Sequence, residues 1–193
     1  MTPSTPDQSP RFIPAVRLNL QLPTDQLEQF FPLFQRGVTV PATIGCSLKN
    51  LLCHQLAIPE EYVSERITTV FCDNCPVDDF EKTIIRNGSR IALSAAMPGL
   101  VGATMRRGGY YAALRQGISH LMQTAPAVVE DGSVTLKLFN LLMTELGPNL
   151  LAHGILLKTE ELLVLRQGIP ELKYNLGADT DQDQTLLAVS FLE

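Results

Sequence analysis

The stretch Arg66-Ile-Thr-Thr-Val-Phe-Cys-Asp-Asn-Cys-Pro-Val-Asp-Asp-Phe80 decides how the first half of this 193-residue chain is read. Residues 66–72 are rich in β-branched and aromatic side chains, the composition of a strand. Asp73-Asn74 then supplies two residues that tolerate positive φ, which predicts a two-residue turn. Pro76–Phe80 returns as a short strand, and Asn87-Gly88 turns again into a last strand over 89–94.

Working outward, Ser47 is placed to cap a helix whose Leu48, Leu51, Leu52 and Leu56 fall on one face, with Pro59 ending it. Ahead of it, Val38-Thr-Val40 reads as a strand. Further upstream Val16, Leu18, Leu20 and Leu22 alternate with Arg17, Asn19 and Gln21, the period of a half-buried strand. Thr24–Glu28 opens a short helix or loop carrying Leu27, Phe30, Phe31 and Phe34. The order strand, strand, helix, strand, short strand, strand is satisfied by one helix laid across a mixed sheet, an α+β arrangement with β-grasp topology.

Three segments carry a family resemblance: Cys46-Ser-Leu-Lys-Asn-Leu-Leu, Phe71-Cys-Asp-Asn-Cys-Pro-Val-Asp-Asp and Ile85-Arg-Asn-Gly-Ser-Arg-Ile-Ala-Leu. Through them residues 37–99 resemble the MoaD/ThiS group of ubiquitin-like sulfur carriers, matching the helix, the hairpin and the last strand of that family. The resemblance implies an N-terminal ubiquitin-like β-grasp, and the residues beyond it read as a C-terminal α+β extension. The chain accordingly divides into a disordered lead-in over 1–10, the β-grasp over 11–102, a Gly/Arg linker over 103–110 and an α+β domain over 111–193. A carrier also needs a flexible terminal Gly-Gly whose carboxylate is adenylated and thiolated, following the last strand after a short Pro-containing linker. In that register the tail is Met97-Pro-Gly-Leu-Val-Gly102, containing Gly99 and Gly102. The adjacent pair Gly108-Gly109 comes later, and the chain continues to Glu193.

Beyond Gly109, Tyr110–Met122 fits a helix with Tyr111, Leu114, Ile118 and Leu121 on one face. Residues 128–138 predict a hairpin turning at Asp131-Gly132. Leu141–Leu146 predicts a helix capped by Gly147, with Pro148 beginning a turn that ends at Gly154. Thr159–Gly168 has the fullest helix punctuation: Thr159 to cap, Glu160 and Glu161 at the positive end, Arg166 at the negative end, and Gly168 to terminate. Asp179–Gln184 is a polar loop before a final strand over 186–191.

The formal charge of −5 and the single basic doublet Arg106-Arg107 disfavour a nucleic-acid role, which needs a dense basic face. The first ten residues lack the apolar stretch of a signal peptide, and no apolar run reaches the ~20 residues that span a bilayer. A cytoplasmic protein with reduced cysteines and no membrane partner is expected.

Three readings compete at residues 99–109. Gly99, Gly102, Gly108 and Gly109 can form a plain linker, a carrier tail released by cleavage after Gly109, or a loop whose amides hold an anion with Arg106 and Arg107. Cys72-x-x-Cys75 across a tight turn can present two thiolates to zinc, with Cys46 and either Cys53 or His54 completing four ligands. The alternatives are a redox pair or plain core cysteines. His54, His120 and His153 show no ligand spacing. Asp179, Asp181 and Asp183 alternate, but lack the glycine and distant glutamate of a calcium loop. The sequence therefore points to a non-catalytic binding or adaptor module, with a protein partner or self-association and no cofactor. A processed cofactor-biosynthesis carrier and a small zinc protein are the alternatives.

Overall fold

The computed structural model describes residues 16–115, 128–172 and 184–192. The expectations for residues 1–10, for 116–122 with His120, and for Asp179, Asp181 and Asp183 lie outside these. Eight strands form one mixed sheet: β1 (Val16–Pro23), β2 (Val38–Ile44), β3 (Thr69–Cys72), β4 (Cys75–Pro76), β5 (Arg90–Ser94), β6 (Glu130–Phe139), β7 (Ile155–Lys158) and β8 (Gln184–Leu192). Their order across the sheet is β1-β8-β7-β2-β6-β5-β3-β4. The helices are α1 (Phe31–Arg36), α2 (Leu48–Asn50), α3 (Glu60–Glu65), α4 (Gly99–Met105), α5 (Leu141–His153) and α6 (Thr159–Gly168). The protein is thus a mixed α+β chain, and among the described residues no helix is long and apolar enough to cross a membrane.

Local signals were realised where the geometry is local. Asp73 and Asn74 have φ of 51° and 67°, the left-handed pair of a type I′ turn, and they set Cys72 opposite Cys75. The alternation of β1 puts Leu18, Leu20 and Leu22 inside. Ser47 Oγ accepts from Asn50 N at 3.2 Å, and Leu48, Leu51 and Leu52 are fully buried. That helix does not stay regular: Leu51–Gln55 is a π-turn, with Leu56 N donating to Leu51 O.

Several expectations are corrected. The strand expected from residue 66 begins at Thr69, and its return is confined to Cys75–Pro76. Asp131-Gly132 is not a turn. It lies inside the ten-residue β6, where Gly132 pairs with Ala42 and a Cβ there would stand 3.0 Å from the Ile44 side chain. Nor does Gly147 end a helix. α5 runs on through Pro148 to His153, because Gly147 lets the helix close onto Phe34, 2.9 Å from where its Cβ would be. Three apolar residues after Gly154, with Lys158, form β7, which the sequence reading left without a strand.

The sheet interleaves distant parts of the chain. β6 lies between β2, antiparallel, and β5, parallel. β1 pairs in parallel with β8 at the far edge rather than with β2.

Candidate functional site

The segment after β5 is not an open linker. Residues 99–105 are helical (α4), and Tyr110–Arg115 forms a 3-10 turn that packs against α4. Gly102 makes the fold-back possible: a Cβ there would sit 1.7 Å from Met97 O. Gly108, at φ 62°, reverses the chain before Gly109, whose N–H donates to Arg106 O at 3.2 Å.

Two arginines fasten this segment to the body. Arg107 N–H donates to Thr68 O at 2.8 Å, its Nη2 donates to Ser64 O at 2.7 Å, and its guanidinium lies 4.2 Å from the centre of the Phe80 ring. Burial pulls the Arg107 pKa below its ordinary value. Arg115 is buried and forks onto Asp78, with Nη1 to Oδ2 at 2.9 Å and Nη2 to Oδ1 at 2.6 Å, while its Nε donates to Thr104 O at 2.7 Å. Of the doublet that one of the three readings assigns to an anion, Arg107 faces inward and Arg106 is exposed.

What the segment presents outward is apolar. Leu100 is 73% exposed, Val101 59% and Tyr110 92%, with Met97 and Tyr111 also exposed. The Tyr110 and Tyr111 rings meet edge to face with centroids 5.2 Å apart. No residue from Ile91 to Met105 is charged, so α4 carries no charge of its own. Behind Arg107 a cleft of about 380 Å³ is lined by charged side chains, where Lys49 Nζ bridges Glu60 (2.5 Å) and Glu81 (2.9 Å).

The four cysteines are free thiols, with Cys72 and Cys75 facing each other across the hairpin. Cys46 Sγ donates to Thr43 O at 3.0 Å and accepts from Gln55 Nε2 at 3.2 Å. Cys72 is fully buried, and burial, with Asp73 beside it, pushes its pKa up to about 12. Cys53 and Cys75 are half-buried. Among the described residues no three His, Cys, Asp or Glu side chains stand together as a ligand group. The sequence reading missed a second cleft, of about 460 Å³, beside the π-turn; it includes Gln55, Ala57, Asn149, His153 and Phe191. Ala57, at φ 53°, left no signature in the sequence, since alanine rarely adopts that conformation.

No family model, curated protein or solved structure matches the chain.

Proposed function

We propose that the protein is a non-catalytic binding module that engages a protein partner, or a second copy of itself, through the α4 and 3-10 surface. The observation that carries this is a contrast within one segment. Its inward side is fastened by Arg107 and Arg115, and its outward side exposes Leu100, Val101 and Tyr110. Exposed apolar residues held on a rigid support lose little conformational entropy on association. Large apolar and aromatic side chains are also the usual anchors of an interface.

The β-grasp reading is retained as part of this proposal, in a rearranged form. The strands β2-β6-β5-β3-β4, with the helical stretch from Leu48 between β2 and β3, keep the antiparallel pair, helix and antiparallel return that the MoaD/ThiS resemblance implies. The partner of β2 in that pair is β6, from the C-terminal half, and not β1. The place of the carrier tail is then taken by α4. Its folded, anchored state favours an adaptor over a carrier whose tail must be free.

Leu100→Glu tests the reading. Sedimentation of the full chain, and co-purification from its native cells, should show one discrete assembly that Leu100→Glu abolishes while the far-ultraviolet circular dichroism is unchanged. A monomer without a partner, or an assembly indifferent to the substitution, overturns it. Intact-mass analysis of the same native material addresses the carrier alternative, which requires a fragment ending at Gly109.

A further inference from the structure

The sheet has a notch one strand wide. Thr39 of β2 pairs with Leu156 of β7, and Leu156 pairs with Leu186 of β8, so β2 and β8 run parallel on either side of β7. β7 starts only at Ile155, because α5 occupies the chain up to His153 and Gly154 turns out of it at φ 110°. Both flanking strands continue past that start. Counting along the register, Pro41 comes level with Ala188, and Thr43 with Ser190. Two strands separated by one missing neighbour stand about 10 Å apart at the root of such a gap.

The two sides of the notch are finished differently. On the β2 side, side chains take the place of a strand. Gln55 Oε1 accepts from Thr43 N at 2.8 Å, Gln55 Nε2 donates to Thr43 O at 2.9 Å, and His153 Nε2 lies at 2.9 Å from Pro41 O. On the β8 side, pairing with β7 stops at Leu187. Among the described residues, no strand pairs with Ala188–Leu192 on the side away from β1. The residues of β8 that line the 460 Å³ cleft, Val189, Ser190 and Phe191, belong to this unpaired stretch.

We propose that the notch is a peptide-binding site in which an extended, uncharged segment adds to β8 as a strand, displacing the Gln55 and His153 side chains from the line of β7. Backbone amides and carbonyls at an open strand edge are complementary to another extended backbone, and strand addition is a common way of binding peptides. The five residues 188–192 offer roughly 13 Å of edge at about 3.3 Å per residue, enough for a four- or five-residue segment. The lining carries no Asp, Glu, Lys or Arg, so a charged side chain entering the cleft meets no counter-charge there. This site is separate from the α4 surface and does not depend on it.

The test uses the full chain and the capped peptide acetyl-Val-Thr-Val-Ser-Val-amide, whose residues favour strands. Titration followed by amide NMR should shift residues 188–192, and hydrogen exchange of the alternate amides among them that face away from β1 should slow about fivefold or more at saturation, as these edge amides gain partners. The same peptide N-methylated at every residue, which removes the residues' backbone N–H donors, should lose binding. Ala152→Trp projects a large ring into the cleft from an exposed position of α5 and should weaken binding about tenfold or more. Leu100→Glu should leave binding unchanged. The proposal is overturned if the peptide does not bind at millimolar concentration, if the N-methylated form binds equally well, or if the shifts fall instead on the terminal strand β1, Val16–Pro23.

Discussion

Arg115 and Asp78, 37 positions apart, meet as a two-pronged pair in which only 2% of the arginine side chain is exposed, against 43% of the carboxylate. The aspartate is reachable by solvent while the arginine is not, so losing the aspartate leaves a buried cation short of its charged partner. Asp78→Asn should therefore destabilise the chain by about 1.5–3 kcal/mol, the range for hydrogen bonds to charged groups. Urea unfolding measures the loss. Because Arg115 also donates to Thr104 O, the α4 segment should loosen first. Trypsin should then cut after Arg106 or Arg107 faster than in the parent protein, and equal cutting rates would mean that the pair does not hold the segment.

The glycines of the same segment divide into two kinds. An alanine Cβ at Gly102 would collide with Met97 O at 1.7 Å, whereas at Gly108 nothing lies within 4 Å and only the φ of 62° resists substitution. Gly102→Ala should cost about 2 kcal/mol or more by forcing α4 off its support. Gly108→Ala should cost about 1 kcal/mol, the ordinary penalty for the left-handed region. Thermal unfolding of the two variants side by side checks this order, and a reversal would place the tight approach elsewhere.

Thiol reactivity should follow burial. Cys72 is sealed from solvent and its pKa is pushed up to about 12, so it is almost wholly the unreactive thiol at pH 8. Cys75, directly across the hairpin, is half-buried. Brief iodoacetamide treatment of the native chain, followed by peptide mass mapping, should label Cys75 and Cys53 ahead of Cys72, and denaturant should equalise all four. Early labelling of Cys72 would show that the hairpin opens readily.

The features legible in the sequence are those fixed within a few residues. The Asp73-Asn74 turn, the alternation of β1 and the extent of α6 over 159–168 each need only neighbouring residues to act, although the N-cap of α6 is Lys158 rather than Thr159 and its C-cap is Ile169, one residue past Gly168. What was not legible depends on partners far along the chain. Gly147 and Asp131-Gly132 carry stop signals, yet Gly147 is kept in α5 by Phe34 and Gly132 is kept in β6 by pairing with Ala42. Residues 155–158 are too short to announce β7 and acquire a strand only between β2 and β8. For the sites, glycine and arginine spacing located the 99–109 segment but gave no hint that Arg107 turns inward onto Phe80. The notch has no local signature, because it is the place where one strand is shorter than its neighbours.

Acid should expose the link between α3 and α5. Tyr62 Oη donates to one oxygen of Glu145, and the guanidinium of Arg66, just past the end of α3, donates to the other. These hydrogen bonds, that from Tyr62 foremost, hold the Glu145 carboxyl below the usual carboxylate range. A carboxyl whose folded pKa is depressed contributes its stability fully above the unfolded value, about 4.3 for glutamate, and loses it as pH falls through the folded value. The stability difference between the parent and Glu145→Gln should accordingly stay constant from pH 7 to about 5 and shrink below about 4.3. Tyr62 behaves in the opposite sense. Burial and the bond to Glu145 raise its pKa, so its contribution is intact below about 10 and is lost only in stronger alkali. Urea midpoints for the parent, Glu145→Gln and Tyr62→Phe between pH 3 and 11 separate the two effects. A Glu145→Gln difference that is the same at pH 6 and pH 3 would mean that this carboxylate contributes nothing to holding α3 against α5.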